Sequence, residues 1–96
     1  MNLLITYDVD TTSAQGRKRL RSVARICQNY GQRVQNSVFE CDVTEVQFVI
    51  LKESLLTVMD KLLDSIRIYH LSKNENRRVM TLGRETSYNV NEPLIL

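Results

Sequence analysis

The chain has 96 residues, which is enough for one modest hydrophobic core but not for two. Its 43% apolar and 25% charged residues are the ordinary balance of a soluble globular protein. No apolar run approaches the roughly 18 residues that cross a bilayer. The first residues also lack the basic start and long apolar stretch of a signal peptide. We therefore expect a cytoplasmic protein without membrane contact.

The two cysteines, Cys27 and Cys41, are isolated from each other in sequence. They form neither a C-x-x-C pair nor a disulfide framework, and no cluster of zinc ligands surrounds them. We expect both to be small core residues in a reducing compartment.

The net charge of +2 is too small to mark a nucleic-acid-binding protein, but the charges are unevenly distributed. Residues 1–41 hold six basic side chains against three acidic ones, and residues 42–64 hold five acidic against two basic. One basic and one acidic helix would present different faces to different partners.

The first predicted elements are a buried strand over residues 3–7 and a helix that begins near Thr12 or Ser13, both of which are suitable N-caps. Gly31 follows in the position expected of a helix C-terminal glycine. The helix carries one apolar stripe, formed by Leu20, Val23, Ala24, Cys27 and Tyr30.

Residues 32–43 alternate like a strand, but the phase slips at Asn36-Ser37, which predicts a bulge or a tight reversal between two strands. Thr44 and Gln47 have capping-box spacing and open a second helix. Residues 65–71 alternate again, and residues 78–82 predict a fifth strand ended by Gly83. The apolar stripe of the second helix is Phe48, Leu51, Leu55, Met59 and Leu62.

The order strand, helix, strand, strand, helix, strand predicts an α+β, ferredoxin-like βαββαβ domain over residues 1–82, with an extra C-terminal strand. Both helices then cover one face of an antiparallel sheet and leave the other bare. Two sheets docked face to face in a homodimer would cover it. The apolar end of residues 83–96 predicts a tail that packs on the dimer partner.

Few residues can carry catalysis. His70 is the only histidine, and it is open to two interpretations, a general base or an ordinary strand residue. No Ser-His-Asp or Cys-His arrangement is available, and the glycines are too scattered for a phosphate-binding loop.

Asp8 ends the first strand, with Asp10 just after it. Asp8 shares its strand face with Leu4 and Thr6, opposite Leu3, Ile5 and Tyr7. One interpretation is structural, with Asp8 capping the following loop and Asp10 solvated. The other is a metal site, in which two copies of Asp8 meet across a dimer axis and share Mg²⁺, an ion often held by one or two carboxylates.

The first helix supplies a cluster of cations at spacings of one, three and four residues, namely Arg17, Lys18, Arg21 and Arg25. Such a patch can bind a phosphate backbone without reading sequence. The alternative is an ordinary solvated helix face.

These residues together resemble the CRISPR-associated Cas2 family. The resemblance rests on Tyr7-Asp8-Val9, on Arg17-x-Arg19, on residues 31–40 (Gly-x-Arg-Val-Gln-x-Ser-Val-Phe-Glu) and on the strand over 65–69. It covers nearly the whole chain, and the closing segment resembles forms of subtype I-C systems. Asn36 departs from the pattern, because many relatives carry an aromatic residue there.

The resemblance implies a ferredoxin-like homodimer in which paired Asp8 side chains are catalytic and bind Mg²⁺. It implies a nuclease for RNA or double-stranded DNA that also bridges dimers of the Cas1 integrase during spacer acquisition, a step in antiviral defence. Arg19 and Arg33 join the predicted nucleic-acid-binding residues, although Arg19 lies off the face of the basic cluster. The predicted site architecture comprises Tyr7, Asp10, Ser37 and Phe39, although Phe39 also fits the core.

Three hypotheses remain at this point. The protein is a Mg²⁺-dependent nuclease, a non-catalytic DNA-binding scaffold of the same fold, or a ferredoxin-like RNA-binding module. The third is disfavoured, because sheet-based RNA recognition displays aromatic side chains and few are available here.

Overall fold

A computed structural model describes residues 1–71 and 79–84 of the chain. In this part of the chain no helix is long and apolar enough to cross a membrane. The elements are, in chain order, β1 (Asn2–Asp8), α1 (Ala14–Gln28), β2 (Gly31–Gln35), β3 (Val38–Asp42), α2 (Glu45–Val58), β4 (Ser65–His70) and β5 (Val79–Gly83).

The five strands form one antiparallel sheet in the order β2-β3-β1-β4-β5, with β1 at its centre. Because β1 and β2 flank β3, the first helix makes the split crossover that the sequence predicts. The α+β, ferredoxin-like fold with an additional fifth strand is therefore confirmed. The predicted face-to-face homodimer and the packing of the tail stay predictions, and residues 85–96 lie outside the described part.

Alternation along the strands separates the two faces of the sheet as predicted. Leu3, Ile5 and Tyr7 of β1 enter the core with buried residues of both helices, and α1 contacts α2. Leu4 and Tyr69 pair across β1 and β4 on the opposite, helix-free face, where both are buried outside that core. Asp8 has the parity of this second face.

Both helix starts follow the predicted capping chemistry. The Ser13 hydroxyl accepts the backbone N–H of Gly16, so Ser13 is the N-cap of α1. Thr44 and Gln47 make both bonds of a capping box at α2.

Two predictions about helix ends were wrong. Gly31 does not end α1, which finishes at Gln28 with the right-handed Asn29 as its C-cap; Gly31 begins β2 instead. A side chain there would overlap the carbonyl of Glu40 on β3. Leu62 is 84% exposed, because α2 ends at Val58 and leaves Leu62 in the following turn.

Asn36-Ser37 forms the tight reversal predicted between β2 and β3. The register also shifts between Arg33 and Gln35, so this hairpin contains both of the irregularities that the phase slip allowed.

Candidate active site

Four segments of the chain meet at the end of the sheet where β1 finishes. Asp8 pairs with Ser65 on β4, and Ser65 pairs with Gly83 on β5. On the other side, the N–H of Tyr7 donates to the carbonyl of Ser37 in the β2–β3 reversal. The loop after Asp8 and the turn before β4 complete this end of the molecule.

Asp8 presents its carboxylate to solvent. Its side chain is 73% exposed, and its Oδ2 accepts a hydrogen bond of 3.1 Å from Nη2 of Arg84. An exposed carboxylate on an anchored strand end is available to a cation or a substrate without a large desolvation cost.

The Arg84 side chain is held in place from its base. Its backbone N–H donates to the carbonyl of Asp64 at 2.8 Å, and its Nε donates to the carbonyl of Leu63 at 3.4 Å. The preceding Gly83 has φ of 84°, a left-handed conformation that favours glycine. These contacts direct the end of the guanidinium towards Asp8.

Asp64 lies at this end of the sheet, and the sequence did not single it out. Its carboxylate is fully buried and accepts N–H groups from Asp10 at 3.2 Å and Asp60 at 2.9 Å. It also accepts Nε of Arg19 at 2.8 Å. Asp64 therefore joins the loop after Asp8, the first helix and the turn before β4. Nothing local in the sequence indicates the contacts with Arg19 and Asp10, which span 45 and 54 residues.

Arg19 lies in this internal contact, apart from the exposed cations of α1. Its side chain is only 17% exposed, and the hydrogen bond to Asp64 raises the pKa of its guanidinium. Its role in nucleic-acid binding stays a prediction. In the structure, the Arg19 guanidinium is bonded to the buried carboxylate of Asp64.

Asp10 is turned towards its own loop. Oδ1 accepts both the N–H of Thr12 at 2.9 Å and its hydroxyl at 2.7 Å, and these bonds lower the pKa of the Asp10 carboxyl. The loop is thus capped by Asp10, whereas the structural interpretation of the sequence gave that cap to Asp8 and expected a solvated Asp10.

The remaining architecture residues support the strand end. The Tyr7 hydroxyl donates to the carbonyl of Asn36 at 3.2 Å, and burial raises the pKa of that phenol. Phe39 is fully buried, with the Tyr7 ring stacked at 6.1 Å and the Arg33 guanidinium 5.3 Å above it. Ser37 contributes its carbonyl to Tyr7.

The basic cluster of α1 is exposed along the helix. Its first member, Arg17, lies near the Asp8 end and donates to the carbonyl of Thr11 at 3.3 Å. All four side chains are open to solvent, namely Arg17, Lys18, Arg21 and Arg25.

His70 lies far from Asp8. It pairs with Leu3, five residues along β1, which corresponds to about 17 Å at the rise of a strand. Its ring contacts Phe48 edge-on at 5.3 Å. This placement favours the interpretation of His70 as an ordinary strand residue.

The oxygen donors at this end fit Mg²⁺ in kind. The Ser65 hydroxyl is buried and makes no hydrogen bond within the described residues, although Ser65 stands directly opposite Asp8 and shares its face. An unpaired buried hydroxyl beside an exposed carboxylate suits a hydrated hard cation. Residues 1–71 and 79–84 contain no group of three or more His, Cys, Asp or Glu that could hold an ion within one chain. The remaining ligands would have to come from water, a substrate or a second copy.

Two surface cavities differ in their chemistry. One of about 350 Å³ is lined by Asp8, Asp10, Leu62, Leu63 and Arg84. A larger one of about 500 Å³ lies at the opposite end of β1, and its charged lining residues are Glu40 and Asp42. Because only the smaller cavity combines a carboxylate with a cation that could face a phosphate, we assign the candidate site to it.

Comparisons with known proteins agree on one family. The family model described as CRISPR associated protein Cas2 matches residues 1–79. The CRISPR-associated endonuclease Cas2 of Halalkalibacterium halodurans is 53% identical over 95 residues, with 99% of each chain covered. The CRISPR-associated endoribonuclease Cas2 of Chlorobaculum tepidum is 50% identical over 96 residues and is fully covered. The crystal structure of Streptococcus pyogenes Cas2 at pH 6.5 superposes with a TM-score of 0.72 and 58% identity, covering 77% of this chain and 89% of that one.

Proposed function

Because the chain belongs to the CRISPR-associated Cas2 family, we propose that it is a cytoplasmic, Mg²⁺-dependent endonuclease that works as a homodimer. The relatives named endonuclease and endoribonuclease support phosphodiester hydrolysis. The observation that carries the proposal is the exposed Asp8 carboxylate at an anchored strand end, with the unpaired Ser65 hydroxyl beside it.

In this proposal Asp8 is the metal ligand and the catalytic residue, and a second copy of the chain supplies its twin. Bound Mg²⁺ supplies charge stabilisation at the scissile phosphate and a water of lowered pKa. Asp8 would hold that hydrated ion, and the Ser65 hydroxyl would be available to hydrogen-bond with its water. Tyr7 and Asp64 hold the two loops on either side of Asp8 in place.

The nucleic acid lies along α1 in this proposal. The exposed cations of α1 bind the phosphate backbone without base recognition, which suits either RNA or double-stranded DNA. Arg33 adds a cation near the β2–β3 reversal. The same dimer would bridge two Cas1 dimers during spacer acquisition.

Asp8→Asn tests the catalytic part of the proposal. It keeps the side-chain size but removes the charge that Mg²⁺ requires, so we expect kcat/KM on RNA or duplex DNA to fall by roughly 100-fold or more. Asp42→Asn, which alters another exposed carboxylate at the far end of the sheet, is the matched control and should retain activity. Light scattering should show an intact dimer for both variants. An Asp8→Asn dimer that cleaves at the wild-type rate contradicts the proposal.

A spacer-acquisition assay on the same variants separates nuclease from scaffold. Retained acquisition without cleavage favours bridging as the biological role, and loss of both favours catalysis.

A combined Arg17→Ala and Arg21→Ala variant should lower the salt dependence of nucleic-acid binding, by roughly one unit of slope for each lost phosphate contact.

A further inference from the structure

The contact between Arg84 and Asp8 gives this site a second functional side chain. We propose that Arg84 occupies the Asp8 carboxylate when no divalent cation is present, and that its guanidinium turns to a phosphate of the nucleic acid once the cation takes the carboxylate. This inference rests on the proposed function of Asp8 as a metal ligand.

The contact is easily exchanged. Arg84 and Asp8 share one N–O approach of 3.1 Å instead of a two-pronged pair, and both side chains are well exposed to solvent. Water screens such pairs, so a hydrated divalent cation faces little resistance in displacing the guanidinium. The buried pair of Arg19 and Asp64 at the same end of the sheet is enclosed and has no such freedom.

Displacement would not remove Arg84 from the site. Its backbone N–H is bonded to the Asp64 carbonyl and its Nε approaches the Leu63 carbonyl, so the base of the side chain stays fixed beside the cavity. Within that cavity's lining Arg84 is the cation, and the planar guanidinium matches phosphate oxygens. In one state, the Asp8 carboxylate and the Arg84 guanidinium therefore bind each other. In the other state, Asp8 binds the cation and Arg84 binds a phosphate.

The first test measures cation affinity without catalysis. Binding of Mn²⁺, used as a paramagnetic probe, is followed by electron paramagnetic resonance in the absence of nucleic acid. Arg84→Ala should tighten the apparent Kd by roughly two- to fivefold, which corresponds to about 0.4–1 kcal/mol. Arg84→Lys keeps the charge but loses the bond from Nε, and should lie between. The control Lys52→Ala removes one positive charge on α2, outside the lining of the cavity, and should leave the Kd unchanged.

The second test measures nucleic-acid affinity in EDTA with a short fluorescein-labelled DNA duplex. Asp8→Asn releases Arg84 and should tighten binding by a few fold. The gain from Asp8→Asn should be smaller in an Arg84→Ala background, because only the loss of the Asp8 charge then remains and the part that passes through the released Arg84 is absent.

The outcomes distinguish the two levels of the proposal. If Asp8→Asn leaves Mn²⁺ binding intact, the metal site of the proposed function is wrong. If Asp8→Asn abolishes Mn²⁺ binding but Arg84→Ala does not tighten it, the inference about Arg84 alone is overturned. A gain in DNA binding from Asp8→Asn that is equally large with and without Arg84 also overturns it.

Discussion

The end of the sheet near Asp8 contains two Asp–Arg pairs with opposite surroundings. Asp8 and Arg84 meet through one hydrogen bond in solvent, whereas Asp64 is fully buried and accepts two backbone N–H groups as well as Arg19. The same two side-chain types therefore form an exchangeable contact between Asp8 and Arg84 and a fixed structural contact between Asp64 and Arg19. Burial and the number of donors, rather than residue type, make the difference.

The two pairs are also connected. Asp64 uses its carboxylate for the loop of Asp10 and its carbonyl for the N–H of Arg84. The buried pair thus supports both sides of the exposed one, and disturbing it should affect stability and site geometry together.

Asp64→Ala should have the largest effect. It leaves Arg19 and two backbone N–H groups without their acceptor, so we expect a loss of about 3–5 kcal/mol in the free energy of unfolding. Urea denaturation followed by circular dichroism measures it. Asp42→Ala, at an exposed carboxylate, is the control and should cost less than about 0.5 kcal/mol. Equal losses in the two variants would contradict the distinction between the pairs.

Gly83→Ala should have an intermediate effect. The added methyl group meets the Asp64 carbonyl at a left-handed φ of 84°, and we expect a cost of about 1–3 kcal/mol. Because Gly83 aims Arg84, the variant should also shift the apparent Mn²⁺ affinity in the direction of Arg84→Ala. If Gly83→Ala kept the wild-type free energy of unfolding, the end of β5 would be packed less tightly than its contacts indicate.

Arg84→Ala should have the smallest effect on stability. An exposed ion pair with a single contact contributes about 0–1 kcal/mol to the free energy of unfolding, and this contribution should decrease as salt is added. Urea denaturation at low and high ionic strength checks it. If Arg84→Ala lowered the free energy of unfolding as much as Asp64→Ala, the Asp8–Arg84 contact would be a fixed structural contact and not an exchangeable one.

Local patterns predicted most of the fold. Capping residues Ser13 and Thr44 fixed the helix starts, and strand parity placed Asp8 on the face opposite Leu3 and Ile5. These signals work because they depend on residues within one turn or a few strand positions of each other. The end of α2 was less visible, because the apolar spacing continued to Leu62 beyond the last helical turn.

The site could be predicted only in part. Asp8 stood out as a lone carboxylate at a strand end, but its partner Arg84 is 76 residues away and lay in the segment assigned to the tail. Asp64 resembled any acidic residue of the acidic region, and only tertiary structure shows the donors that surround it. Arg19 joined the predicted nucleic-acid-binding residues through the family resemblance, although it lies off the face of the basic cluster, and packing directs it inward to Asp64.

The bond from the Tyr7 hydroxyl ends on the backbone carbonyl of Asn36, so it does not depend on which side chain stands at that exposed position. The chain's own thiols are buried, and burial raises the pKa of Cys27 to about 12 and that of Cys41 to about 11, which disfavours their thiolates at neutral pH. Asn36→Cys would therefore accept a single fluorophore selectively. The label would report, in real time, on events at the Asp8 end of the sheet.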